Sequence, residues 1–273
     1  MTAGFDDWIG RQFWREERIT PRTIDQFRVT LAGTLAPANV PVGLHWALVP
    51  DLAEPADLGR DGHPKTGIFL PALPLPRRMW AGGELEHVSD FTADDLVVRE
   101  STIADIKFKQ GSTGNLGFVT VRHVYSAGGV TRLLERQDIV YREDPKPDQV
   151  KAPSQAEPWI ADCVRRVFPD STLLFRYSGL TFNGHRIHYD LPYATGVEGY
   201  AGLVVHGPLQ ALWMLNLATE MLGRVPARFT YRGLSPLIAG REARVEARGD
   251  GEGIALRVVS PGGVATMGAT AVA

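Results

Sequence analysis

The chain is 273 residues long, with 44% hydrophobic and 22% charged residues, the balance of a globular protein that can bury a sizeable core. Its net charge of −2 offers no basic footprint for nucleic acid and no pull toward anionic lipid. Cys163 is the single cysteine, which excludes an internal disulfide, speaks against a thiolate metal cage and fits a reducing, cytoplasmic setting.

The first residues, 1–8, lack a basic region followed by an apolar run, so no secretory signal is expected. Thr20-Pro21 opens a helix pattern to about Gly33, with Ile24, Phe27, Val29 and Leu31 apolar. Residues 37–90, rich in Pro, Gly and Trp, follow no regular period. Residues 96–108, 117–127 and 130–142 read as strands, the last two joined by Gly128-Gly129 in a hairpin. Residues 142–158 hold four prolines and seven charged residues with almost no apolar content, the composition of a linker.

Residues 171–178 (STLLFRYS) read as a strand, followed by a polar loop to about Pro192. Residues 208–222 carry a strong helix pattern, with Pro208 suited to the first turn and Gly223 placed where helices commonly end. Leu209, Leu212, Trp213, Met214, Leu215, Leu217 and Met221 leave it a narrow polar edge, so burial on nearly all sides is expected. His206, Gln210, Asn216 and Glu220 interrupt the apolar stretch 202–222, and no membrane span is expected. Four β segments follow, at 227–234, 241–248, 254–260 and 264–272, with tight turns between them. A buried helix wrapped by antiparallel strands is the layer arrangement called a hotdog, and the first piece reads as a degenerate version of that plan. The expected fold is α+β, a double hotdog: residues 1–141 and 159–273 as two units, joined by the Pro-rich linker 142–158.

The run Tyr177-Ser-Gly-Leu-Thr-Phe-Asn-Gly-His-Arg-Ile-His188 resembles the signature of the MaoC-like, or (R)-specific enoyl-CoA hydratase, family. Tyr177, Leu180, Thr181, Ile187 and His188 match it, and Ala194 falls at the required distance. Phe182, Asn183, His185 and Arg186 depart from Gly, Asp, Asn and Pro. His206-Gly207-Pro208 at the head of the long helix resembles the family's His-Gly pair. The wording FNGHRIHYD is most similar to the two-hotdog subgroup that includes mesaconyl-C4-CoA and itaconyl-CoA hydratases. The resemblance implies a hydro-lyase acting on an acyl-CoA thioester, with no cofactor beyond the CoA of the substrate.

Adding water across a thioester-conjugated double bond needs a base for the water, an acid for the α-carbon and donors aimed at the thioester oxygen. His188 suits the base, since its ordinary pKa lies near neutrality. Gly207 lies at a helix N-terminus, where free N–H groups favour developing negative charge. Asn183 stands where the family has a carboxylate, so it is expected to support His188, with Asp190 as the leading substitute and His185 as another. Asn183-Gly184 is also a strong turn dipeptide, and Asp190 also suits a helix cap near Pro192. Arg186 can meet a second carboxylate of the acyl group bidentately, as hydration to citramalyl-CoA would require. His185, His206 and Lys109 complete the candidate substrate contacts, the last within a polar cluster able to line an acyl-CoA channel. His185-x-x-His188 lies in a loop rather than at helical spacing, so no metal is expected. One site per chain is expected where the units meet, in a homodimer by analogy with other hotdog proteins. A thioesterase, for which Glu220 is the available helix carboxylate, and a non-catalytic acyl-CoA or acyl-carrier binding module are the alternatives.

Overall fold

The computed structural model describes residues 4–111, 114–144 and 159–273. Among the described residues there are four α-helices: α1 (Pro21–Thr30), α2 (Ser171–Leu180), α3 (Leu191–Gly196) and α4 (Gly207–Leu222). The apolar content concentrates in α4, whose residues 209–219 are all buried, with Pro208 in the first turn and Gly223 closing the helix at φ +69°. A helix apolar on every side must be enclosed, and the strands enclose it.

Ten strands form one antiparallel sheet: β1 (Gln12–Arg18), β2 (Arg77–His87), β3 (Leu96–Gly111), β4 (Gly114–Ala127), β5 (Val130–Arg142), β6 (Cys163–Val167), β7 (Arg228–Gly233), β8 (Ala243–Asp250), β9 (Gly253–Val259) and β10 (Ala265–Val272). Their order is β1-β3-β4-β5-β2-β7-β10-β9-β8-β6. The α+β double hotdog therefore appears as two five-stranded runs, joined edge to edge where β2 pairs with β7 from Gly82↔Arg232 to Glu86↔Arg228. β8, β9 and β10 pack on α4 in the second run. The first run has no comparable long helix among its described residues; the irregular segment around Val42, Leu44 and Leu48 fills its concave side together with Leu85, Tyr125 and Leu133. Asn216, fully buried in α4, ties the two parts together: its Oδ1 accepts from Ala36 N–H, and its Nδ2 donates to the Val42 carbonyl.

Three sequence expectations change. Residues 171–178 form a helix, not a strand. Asp170 caps α2 by accepting from Leu173 N–H, and the buried residues Leu174, Tyr177 and Ser178 follow helical spacing, while Phe175 is exposed. β1 and β6, which the pattern missed, are the two edge strands, and β1 has no fully buried residue to mark it. β2, the strand that joins the halves, lies in the aperiodic Pro/Gly/Trp stretch and bulges between Trp80 and Gly82. Of the expected linker, Arg142 ends β5 and residues 145–158 lie outside the described residues. Among the described residues no helix is long and apolar enough to cross a membrane.

Candidate active site

The motif loop begins where α2 ends. Thr181 Oγ1 donates back to the Tyr177 carbonyl, and Phe182 turns the chain at φ +50°. Asn183 Oδ1 then accepts from His185 N–H, a side-chain-to-backbone turn that leads into a short 3-10 helix, Arg186–His188. This brings the buried His188 ring against the first turn of α4. Its Nδ1 lies 2.7 Å from the Val204 carbonyl oxygen. A carbonyl only accepts, so the neutral ring carries its proton on Nδ1 and presents a bare lone pair at Nε2. Burial pushes the His188 pKa down to about 3 against the opposing pull of the Val204 bond. The ring is thus a neutral acceptor at physiological pH.

His206 precedes Gly207 at the head of α4, and its ring stacks on His188 at 3.6 Å between centroids. Its Nε2 lies 2.8 Å from Ser178 Oγ, while Nδ1 is buried without a partner. Gly207 opens the helix, whose first N–H groups lack intrahelical acceptors. A Cβ at Gly207 would lie 2.8 Å from Trp80 Cε3, so only glycine lets the helix head approach that ring. Trp80 stacks on Tyr231 at 4.5 Å, and Trp46 meets both rings edge-on. The wall facing the helix head is aromatic, and much of it comes from the first half.

That half also brings polar groups which the sequence pattern did not reveal. Asp61 Oδ2 lies 3.0 Å from His63 Nδ1, and the His63 ring lies against His185, 4.2 Å between centroids. His185 in turn meets His188 edge-on at 5.4 Å. Arg78 donates to the Pro64 carbonyl and stands 3.7 Å from Asp61. Burial lowers the pKa of His185 to about 2, with neighbouring His63 adding to the effect, and it also lowers those of His63 and His206. Four crowded imidazoles cannot all charge, and all four are held neutral.

Of the residues singled out from sequence, His188, His185, His206 and Gly207 converge. Asn183 is present in the same loop, but its oxygen serves the turn. Asp190 and Arg186 require correction. Asp190 accepts from Tyr193 N–H as the cap of α3 and from Arg186 at 2.7 Å, and these bonds hold its pKa below the usual carboxylate range. Arg186 also donates to the Arg60 carbonyl and stacks on Tyr193, so its fork is already occupied. Lys109 is exposed on β3 over the Phe118 ring, with β4 and β5 between its strand and β2. Asp61, His63 and His185 offer donor atoms within 4.8 Å of one another, a spacing suited to a divalent ion. However, the carboxylate is already bonded to His63, and the fixed positive charge of Arg78 beside it opposes a cation.

Comparison with known proteins identifies the family and the fold. The sequence model of the family described as hydroxyacyl-thioester dehydratase type 2 matches residues 43–239. A mesaconyl-C(4)-CoA hydratase of Chloroflexus aurantiacus is 38% identical over 277 residues, covering 98% of each chain. The mitochondrial hydroxyacyl-thioester dehydratase type 2 of Saccharomyces cerevisiae is 25% identical over 215 residues, covering 73% of this chain and 74% of its own. Among solved structures, a MaoC-like dehydratase superposes with a TM-score of 0.71 at 12% identity, covering 98% of this chain and 99% of its own. A Mycobacterium tuberculosis protein described as having a double hotdog fold gives 0.56 at 15% identity, covering 98% and 97%. At these identities the solved structures establish the shared fold.

Proposed function

Because this chain belongs to the hydroxyacyl-thioester dehydratase type 2 family, we propose that it is an enoyl-CoA hydratase, reversibly adding water to a short dicarboxylic enoyl-CoA. Mesaconyl-C4-CoA is the first candidate substrate, itaconyl-CoA the second, and citramalyl-CoA the product. The observation that carries this reading is the tautomer-fixed imidazole of His188, held against the head of α4 with Nε2 bare.

The chemistry comes directly from that arrangement. His188 Nε2 takes a proton from water as the oxygen bonds to the β-carbon, and the π electrons move toward the thioester carbonyl. The enolate oxygen so formed meets the N–H groups of the first turn of α4, Gly207 foremost, in a site where aromatic rings exclude solvent and strengthen the interaction. The imidazolium then returns its proton to the α-carbon. His206, bonded to Ser178 and stacked on His188, fixes the plane of the base. Trp46, Trp80 and Tyr231 pack on one another as the apolar wall beside the helix head. In the role that the sequence suggests for Arg186, Arg78 is the better partner for a second carboxylate. It extends from the strand that carries Trp80, beside the Pro64 carbonyl, Asp61 at 3.7 Å and the Tyr141 hydroxyl. The thioesterase alternative finds no support in the helix, since Glu220 is engaged by Arg165 at the end of α4 opposite Gly207. The working assembly is taken to be a homodimer, to be checked by light scattering.

The test is loss of enoyl absorbance on adding the protein to mesaconyl-C4-CoA. His188→Ala is expected to cost roughly 10² to 10⁴ in rate, the usual worth of a general base. Release of free thiol instead would indicate a thioesterase, and no change in either signal would indicate a binding module.

A further inference from the structure

Hydration by His188 leaves one role unfilled on the motif loop, and filling that role presupposes the hydratase reading. Where related sites are expected to have a carboxylate, this loop has Asn183, whose amide cannot exchange a proton and whose Oδ1 is held by His185 N–H. Asp190 on the same segment is bound to Arg186 and to the α3 cap. A carboxylate nevertheless reaches this group of imidazoles from the other half of the molecule. Asp61 Oδ2 bonds the His63 ring at Nδ1, and Oδ1 accepts from the backbone N–H of the same histidine at 3.1 Å. Gripped at ring and backbone, His63 has a fixed orientation and its proton on Nδ1, so Nε2 is bare.

The two loops are fitted backbone to backbone. A Cβ on Gly62 would fall 2.0 Å from the Gly184 carbonyl oxygen, and one on Gly184 would fall 2.6 Å from that of Gly62. Arg186 N–H donates to the Asp61 carbonyl at 2.9 Å. Gly184, which reads in the sequence as a turn residue, is therefore also the opening through which the first half's loop docks on the motif. We propose that Asp61 and His63 form the carboxylate–imidazole component of this catalytic centre, supplied across the molecule in place of the carboxylate that the motif loop lacks at Asn183.

The pair acts as positioning machinery. Asp61 sets the tautomer of His63, His63 packs on His185, and His185 stands edge-on to His188. In the reaction, the water O–H bond breaks, its oxygen bonds to the β-carbon and its proton passes to His188 Nε2, then to the α-carbon. Asp61 and His63 gain and lose no net proton. Around His63 the charged groups are Asp61 and Glu198, which favour its cation, and Arg78, which opposes it together with burial. His63 is thereby kept as a neutral acceptor beside the reacting groups.

The experiment compares wild type, Asp61→Asn, His63→Gln, Asn183→Asp and the combination of Asp61→Asn with Asn183→Asp. Hydration of mesaconyl-C4-CoA and crotonyl-CoA is measured across pH, with thermal melts as a check on folding. Asp61→Asn is expected to lower kcat about 10²-fold, within the range for an acid–base component, with KM changed less than about threefold. Its acid limb should move along the pH axis, and His63→Gln should behave alike. Relative to Asp61→Asn alone, the combination with Asn183→Asp should restore kcat roughly tenfold or more, because it returns a carboxylate to the loop. Asp61→Asn at wild-type rate overturns the proposal. So does a loss that Asn183→Asp leaves unrepaired, which marks a structural role. So does activity that a chelator removes and zinc restores, which makes the trio metal ligands. If wild type hydrates neither substrate, or His188→Ala remains active, the hydratase reading falls and takes this inference with it. An intact Asp61→Asn variant beside an inactive His188→Ala variant sinks the pair alone.

Discussion

Acidification tests the histidine environments as a set. His45, His123 and His188 have pKa values lowered to about 3 and His185 to about 2, burial being the leading cause in each. All four are buried; His45 Nε2 has no partner, and His123 Nδ1 lies 2.7 Å from Ser101 Oγ. When the chain unfolds, these rings return to an ordinary pKa near 6.5. The unfolded state therefore binds protons that the folded state refuses. The stability these groups contribute is whole above pH 6.5 and is lost progressively as the pH falls toward their folded values. At pH 5.5 each costs about 1.4 kcal/mol relative to pH 7.5, so the four together cost about 5 to 6 kcal/mol. That compares with a typical total of about 5 to 15 kcal/mol. His63 and His206, also lowered by burial, push the same way. For a chain of this size the loss corresponds to a fall in Tm of roughly 10 to 20 °C. Thermal unfolding followed by tryptophan fluorescence at constant ionic strength measures it. A Tm at pH 5.5 within about 3 °C of that at pH 7.5 would show that these rings are not held neutral in the folded protein.

Three further outcomes are expected. Arg78→Met should raise KM for mesaconyl-C4-CoA roughly tenfold or more while sparing crotonyl-CoA, whereas Arg186→Met should discriminate little between them; steady-state kinetics on both substrates decides. Gly207→Ala places a methyl 2.8 Å from Trp80 and should lower kcat more than about tenfold as the ring and helix head separate; an unchanged kcat would remove Gly207 from the site. Asn216→Leu leaves Ala36 N–H without its acceptor and the Val42 carbonyl without its donor, and should destabilise by about 2 to 4 kcal/mol in urea titrations.

The parts of this molecule that announce themselves in the sequence are those whose environment is local or uniform. α4 is legible because every face is buried and Pro208 and Gly223 bracket it. β4 and β5 are legible because Gly128-Gly129 turns one directly into the other. The motif loop is marked by its wording, and His188, His206 and Gly207 do converge there. In contrast, α2 is rich in aromatic and branched residues that also suit a strand, and its helical identity rests on the Asp170 cap and on which side chains meet the core. Asp61, His63 and Arg78 leave no periodic trace at all. Their placement depends on Gly62 meeting Gly184, a contact between distant chain segments. Arg186 and Asp190 mislead for a related reason, since a side chain's partner is decided by its neighbours in space, and these two face each other.

The seam between β2 and β7 also orders events in time. The runs β3-β4-β5 and β8-β9-β10 are assembled from chain neighbours, whereas Gly82 must find Arg232 across most of the polypeptide. Closing so long a loop is entropically slow compared with forming a hairpin, so the two meanders precede the seam during folding. Trp80 lies on β2, and it reaches the head of α4 only when that seam has closed. In a refolding experiment, recovered turnover is therefore a clock for the final closure, lagging behind the circular dichroism of the strands.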